Sequence, residues 1–257
     1  MITKDQVNFF RTFGFIKFPK LFKNDMRTIT EEFNRVFEQA GVKHTETQPS
    51  NVDPFIDKSK KLAGLLYDDR IDTIASALLG DDFNYMNSDG KIFVADTLWH
   101  RDALIQDQYT FIKIVFYLEP VDHNSGALRV IPGSHKLQDQ YSKALGSGTF
   151  MNDVRSSAGL QWGMEGHEVP AYSITSEPGD MLIFSHTLLH SSWGGGKRRS
   201  MFGISLCERF RDEDRHYMKQ YMSFSPSEYG EILVSSADQR GMKHLEQGLA
   251  YFQSTQV

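Results

Sequence analysis

Lys91-Ile-Phe-Val-Ala-Asp-Thr-Leu-Trp-His-Arg-Asp102 is an apolar, strand-like run that ends on a histidine and an aspartate two residues apart, His100 and Asp102. Side chains of an extended segment alternate between faces, so these two point the same way. A neutral imidazole and a carboxylate on one face can grip a first-row metal from two sides. One further histidine would complete a 2-His-1-carboxylate set, the usual cage for non-haem Fe(II). Spacing alone does not select this pair. With 9 His and 33 acidic residues, chance supplies about one His-x-Asp/Glu, and the chain has three: His44-Thr-Glu46, His100-Arg-Asp102 and His244-Leu-Glu246. Context selects among them. A second apolar run, Tyr109–Leu118, follows His100-Asp102, and a rigid sheet is where a preorganised site belongs. His44 lies in the polar tract 43–50 and His244 in an expected C-terminal helix, so both are expected to be solvated.

Around this stretch, from about Phe83, short β-like runs alternate with turn residues. The runs are Asn84–Met86, Ile92–Leu98, Phe111–Leu118, Ala127–Ile131, Val169–Ile174, Asp180–Ser185 and Ser200–Cys207. Many short strands argue for a sandwich or barrel. Upstream the period is helical. Thr3-x-x-Gln6 is a capping box opening a helix with Val7, Phe10 and Phe13 on its inner side; Gly14 ends it, and Phe15–Phe18 is a short strand. Asn24 or Asp25 caps a longer helix bearing Met26, Ile29, Phe33, Val36 and Phe37, closed by Gly41. Asp69–Leu79 reads as a third helix, closed by Gly80. Residues 43–60 read as a loop able to cover a site, and Leu137–Met164 as a long insertion, either a lid or a surface loop. Glu213–Tyr221 and Ala237–Phe252 read as helices packed outside the sheet. With no repeat or linker, the expectation is one domain over 1–257, mainly β with flanking helices. It has a helical N-terminal layer (1–80), a β core (83–210) and C-terminal helices (211–257).

The 257 residues, 40% hydrophobic and 12% aromatic, suffice for a sizeable core. A net charge of −5 argues against a nucleic-acid partner, which usually meets a basic face. The single cysteine, Cys207, rules out an internal disulfide and suits a reducing compartment; lying in an apolar run, it is expected to be a buried, inert thiol. The polar start, Met1-Ile-Thr-Lys-Asp-Gln6, is unlike a signal peptide, and no apolar run reaches the roughly 18 residues of a membrane span. A cytoplasmic protein with a small-molecule substrate and no membrane partner is expected.

A third ligand is sought in Glu177-Pro-Gly-Asp-Met-Leu-Ile-Phe-Ser-His186-Thr-Leu-Leu-His190-Ser-Ser192, where His186 and His190 compete. Gly194-Gly-Gly-Lys-Arg-Arg199 then turns into the strand Ser200–Cys207. An arginine at that strand's start, facing the metal, could hold a dicarboxylate through two parallel hydrogen bonds, although Lys197-Arg198-Arg199 also fits a solvated turn.

Taken together, four pieces resemble the phytanoyl-CoA dioxygenase-like family of Fe(II)- and 2-oxoglutarate-dependent oxygenases. They are His100-x-Asp102, the stretch Leu118–Lys136, the segment Gly179–Ser192 and the downstream Arg199. The resemblance spans roughly residues 80 to 210 and implies a double-stranded β-helix, a cupin-like jelly roll. It maps the distal metal ligand onto His190, the 2-oxoglutarate arginine onto Arg199 with Arg198 second, and a co-substrate hydroxyl onto Ser192. His135, in Pro132-Gly-Ser-His135, reads as structural, marking a turn. The implied cofactors are Fe(II), 2-oxoglutarate and O2. No catalytic residue beyond the metal ligands is implied. Succinate and CO2 would be the co-products. Related halogenases carry a small residue at the position of Asp102, so its carboxylate favours hydroxylation, or a related desaturation or cyclisation. Asn87, Lys91, Arg101, Lys113 and the loop 137–164 are candidates for the substrate pocket, and their polarity favours a small polar or anionic metabolite. Lys113, on a strand beside Val115 and Tyr117, fits either an edge position with its amine reaching solvent or an anion contact. Two other classes remain open: a zinc hydrolase, for which no general base is evident, and a non-catalytic cupin-like binding module.

Overall fold

A computed structural model describes residues 2–102, 108–145, 160–161, 164–214 and 228–255. Helix α1 (Lys4–Phe13) starts at the Thr3/Gln6 capping box and stops at Gly14, whose φ of 83° needs a residue without a side chain. Strand β1 (Phe15–Phe18) follows, then α2 (Met26–Gln39), with Met26, Ile29, Phe33, Val36 and Phe37 all buried as their spacing requires. After β2 (Ser50–Val52) and the one-turn helix α3 (Lys60–Ala63) comes α4 (Asp69–Leu79), whose first turn is capped by the Asp68 carboxylate.

The β region comprises β3 (Asn84–Phe93), β4 (Thr97–His100), β5 (Phe111–Tyr117) and β6 (Leu128–Val130), then, after the short helix α5 (Gln140–Ala144), the hairpin β7 (Leu160–Gln161) and β8 (Met164–Glu165). It continues with β9 (Tyr172–Ile174), β10 (Met181–Ser185), β11 (His190–Ser192) and β12 (Arg199–Cys207). Helices α6 (Glu231–Ser236) and α7 (Gln239–Thr255) close the described chain, α7 lying against β3.

Six strands form one antiparallel sheet in the order β1-β10-β5-β12-β3-β2, and four form a second, β4-β11-β6-β9. Period-two alternation divides the core. From β5 and β12, Ile112, Ile114, Phe116, Phe202, Ile204 and Leu206 join Phe22, Phe33 and Phe55 in the helix-covered cluster. Their alternates Val115, Tyr117 and Met201 meet Leu128, Val130 and Ile174 of the smaller sheet in a second cluster. The sheets therefore face each other, with the helices outside the larger one.

Three expectations are corrected. Asn84–Phe93 is one strand, although Asn87-Ser-Asp-Gly90 reads as a turn; pairing with β12 along its length overrides local preference. Gly90 is needed there because a Cβ would overlap the Phe55 ring. The tract 43–60 is not all loop: it supplies β2, which pairs with the free edge of β3, and a turn at Ile56–Lys58. His190–Ser192 is a strand that its composition does not announce. Most of the 137–164 insertion and of Glu213–Tyr221 lies outside the described residues, as does 103–107; Asp212–Asp214 is a 3-10 turn. No described helix is long and apolar enough to cross a membrane.

Candidate metal and co-substrate site

His100 ends β4 and His190 begins β11; the two are direct partners in that antiparallel pair. Asp102 follows β4 by two residues and is pinned by its own backbone, whose N–H donates to the His186 carbonyl at 2.8 Å. The Nε2 atoms of His100 and His190 stand 3.5 and 3.6 Å from Asp102 Oδ1, and the three ligand-type atoms lie within 4.8 Å of one another. Each imidazole donates from Nδ1 to a carbonyl two residues back, His100 to Leu98 at 2.8 Å and His190 to Leu188 at 2.9 Å. Those bonds fix the tautomer and leave both Nε2 lone pairs aimed at the carboxylate, the support expected of metal-binding histidines. Burial, reinforced by His100, pushes His190 down to about 3. Burial alone would raise the Asp102 carboxyl, but the Lys113 ammonium beside it holds it well below the usual range. The cluster thus offers two imidazole nitrogens and a carboxylate, a donor set that suits a divalent first-row ion.

These three residues line a cavity of about 70 Å³ between the sheets. Arg199 and Ser192 line it too, with Lys91, Phe93, Lys113, Tyr117 and Met201. Arg199, first residue of β12, is 3% exposed. Its guanidinium lies over the Phe93 ring at 4.7 Å and reaches Thr97 Oγ1 at 3.5 Å, while Nε and Nη1 have no partner. Gly126 and Gly195 clear its path, since a Cβ at either would overlap the guanidinium. Ser192 Oγ is also buried without a partner. A buried cation with unused donors next to an unused hydroxyl fits an anionic carboxylate. Arg198, by contrast, is exposed and sits 3.7 Å from Glu119.

Other predicted residues fall elsewhere. The His186 imidazole is near Asp102 but outside the cluster; burial lowers it to about 4, and its Nε2 has no partner. Arg101 is buried away from the cavity, donating to the Ser134 and Thr187 carbonyls. Asn87 donates to Asp53 at 3.3 Å. His135 donates from Nε2 to the Arg11 carbonyl at 3.3 Å, under the α1–β1 turn. Lys113 does not reach solvent at an edge: it is buried and paired with Asp89 at 2.9 Å. Asp89 is the residue that sequence reading missed, hidden in a turn-like Ser-Asp-Gly. Two histidines expected to be solvated are engaged. His244 is 1% exposed, stacked on Phe83 at 3.7 Å and bonded to the Phe83 carbonyl and Asp72. His44 bridges Ser50 Oγ and the Lys197 carbonyl. Cys207 is buried and its thiol raised by burial, as expected of an inert group.

The profile of the phytanoyl-CoA dioxygenase family matches residues 19–200, most of the chain, and the chain belongs to that family. Solved structures agree on the fold. The chain is similar to the non-haem alpha-ketoglutarate-dependent carbocyclase SnoK from nogalamycin biosynthesis, at a TM-score of 0.62 and 19% identity over 85% of this chain and 91% of that one. It is similar also to HygX from Streptomyces hygroscopicus with nickel and 2-oxoglutarate bound (TM-score 0.63, 14% identity, 81% and 88% covered). A third is EvdO2 from Micromonospora carbonacea var. aurantiaca complexed with 2-oxoglutarate (TM-score 0.58, 16% identity, 81% and 92% covered). No curated protein matches the chain significantly.

Proposed function

We propose that the chain is an Fe(II)- and 2-oxoglutarate-dependent dioxygenase that hydroxylates a small, polar metabolite. O2 is consumed, and succinate and CO2 are released. The two facing sheets are read as a double-stranded β-helix making up one oxygenase domain with its helices. The observation that carries this reading is a single cavity lined by both a His-Asp-His cluster and a buried arginine with unused donors. In this assignment His100, Asp102 and His190 hold the iron, and Arg199 with Ser192 holds the distal carboxylate of 2-oxoglutarate. SnoK and HygX, by name, pair the same fold with alpha-ketoglutarate dependence or bound 2-oxoglutarate, which supports the co-substrate.

Bound iron with 2-oxoglutarate supplies an oxidant strong enough to remove a hydrogen atom from an unactivated carbon. The chain's own residues do the rest. Leu98 and Leu188 carbonyls orient the two imidazoles. Asp102 contributes the negative charge. The Val115, Tyr117, Phe184 and Met201 side chains shield the cavity from water. Lys91, one-third exposed on the cavity wall, favours a polar or anionic substrate over a lipid. A zinc hydrolase would leave Arg199 without a role.

The test is succinate release, assayed with Fe(II), 2-oxoglutarate and a panel of polar metabolites. Release that requires iron and rises with one panel member is expected. Absence of 2-oxoglutarate binding by the iron-loaded protein would overturn the reading.

A further inference from the structure

Lys113 stands between two carboxylates on the inner face of the six-stranded sheet. Its ammonium is 2.9 Å from Asp89 Oδ1 and 3.8 Å from Asp102 Oδ2. The two oxygens of Asp102 are thereby divided. Oδ1 faces both imidazole Nε2 atoms, and Oδ2, buried and without a hydrogen bond, faces the ammonium. Asp89 is itself held from the other side, its Oδ2 lying 2.9 Å from Lys91 Nζ. The strands make room for this arrangement. Gly203 of β12 lies directly opposite Asp89 on β3 and Val115 on β5, and a Cβ there would stand 2.5 Å from Lys113 Cε and 3.2 Å from Asp89 Oδ1. A glycine at the crossing point leaves the lysine stem the direct path to Asp89.

We propose that Lys113 is a positioning residue for the metal centre: held by Asp89, it restrains Oδ2 of Asp102 so that Oδ1 alone is presented with the two imidazoles. This rests on reading His100, Asp102 and His190 as the metal ligands. A carboxylate beside a dication can swing to offer both oxygens, which would consume a coordination position that the chemistry needs open. A fixed ammonium on the second oxygen resists that swing. Groups that orient ligands in this way typically change metal affinity by about 10–100-fold when removed.

Charge and position predict opposite signs, which makes the proposal decidable. By Coulomb's law alone, removing an ammonium near a dication tightens metal binding. If Lys113 positions Asp102, removing it loosens binding. The experiment is a Co(II) titration of the purified protein without substrate, followed by visible absorption, with thermal melting of each metal-free variant alongside. Lys113→Met is expected to weaken Co(II) binding by about tenfold or more and to change the shape of the Co(II) band. Asp89→Asn, nearly isosteric, is expected to weaken it in the same direction, and the double variant to be no worse than Lys113→Met. Asp89→Asn carries the test if Lys113→Met does not fold. Unchanged or tighter Co(II) binding in a folded variant would overturn the proposal. His190→Ala is the control: if it binds Co(II) like the parent, the assignment of the ligands fails instead.

Discussion

His100 and His190 face each other as partners across the β4–β11 pair, with ring centroids 4.1 Å apart. Each ring gives its Nδ1 to a backbone carbonyl, and among the described residues the only polar group facing either Nε2 is the Asp102 carboxylate. The fold has placed three ligand-type atoms within 4.8 Å of one another, an arrangement that could hold a metal ion.

The first prediction follows from that pairing. His100→Ala, Asp102→Ala and His190→Ala should each lose Co(II) or Fe(II) binding and turnover, because two remaining ligands do not hold the ion in competition with water. His186→Ala should keep metal binding, since its contribution to the site is the backbone carbonyl that holds Asp102. Calorimetric titration with Co(II) decides the matter. Binding that survives in His190→Ala and vanishes in His186→Ala would reverse the assignment.

Arg199 carries the second. Truncating one partner of a buried charged pair costs about 2–5 kcal/mol, and a tenfold change in affinity is about 1.4 kcal/mol. Arg199→Ala should therefore weaken 2-oxoglutarate binding about thirty-fold or more while leaving metal affinity in place. Arg198→Ala should change little, its side chain being exposed beside Glu119. Titration of the Fe(II) protein with 2-oxoglutarate under nitrogen, read by its visible absorption, gives both constants; an unchanged midpoint in Arg199→Ala would sink the role.

A third concerns residues that never touch a ligand. Gly126 has a φ of 88°, and a Cβ there would overlap Arg199 Nη1; a Cβ on Gly195 would come within 2.5 Å of the same atom. Gly126→Ala should lower stability by about 1 kcal/mol or more through its backbone and also displace the guanidinium. Gly195→Ala lacks the positive φ but would also bring its Cβ to 2.6 Å from the Ala95 carbonyl, so it should lower stability as well as weaken 2-oxoglutarate binding. Melting curves set beside 2-oxoglutarate titrations separate the two effects, and full affinity in both variants would contradict the packing described.

The fourth prediction is a pH dependence. Burial lowers His135 from about 6.5 to about 4, and its Nδ1 has no partner that could accept a proton. Below pH 6.5 the unfolded chain takes up a proton that the folded chain refuses, so stability is complete above that value and falls as pH drops towards 4. The loss on reaching pH 4 is on the order of 3 kcal/mol. His186, also lowered to about 4 by burial, acts in the same direction. Urea unfolding of the metal-free protein across this window should show the decline, and His135→Gln should flatten it in part. An identical slope in the variant would refute the assignment.

Much of the fold could be read from the chain because its signals are local. The Thr3/Gln6 capping box, the apolar stripe from Met26 to Phe37 and the alternation of Phe111–Tyr117 each specify an element on their own. His100, Asp102, His190 and Arg199 were legible as a pattern, and the structure brings all four to one cavity. What stayed hidden depends on partners far away in sequence. His244 is buried because Phe83 and Asp72, more than 150 residues upstream, receive it. β11 is a strand because β4 and β6 flank it, not because His-Ser-Ser favours one. Asp89 looked like a turn residue because nothing in Ser-Asp-Gly announces the lysine waiting on β5.

Strand β3 carries two kinds of information in alternate letters. Ser88, Gly90 and Ile92 look outward, where Ser88 Oγ accepts from the Phe55 and Ile56 amides and Gly90 admits the Phe55 ring. Asn87, Asp89, Lys91 and Phe93 look inward, and the last two line the cavity wall. The inward half is not free to vary: Asp89 anchors Lys113, Lys91 holds Asp89, and Phe93 lies under the Arg199 guanidinium. One face of a single strand thus ties the cavity wall to both charged groups, while the other face belongs wholly to the helical layer.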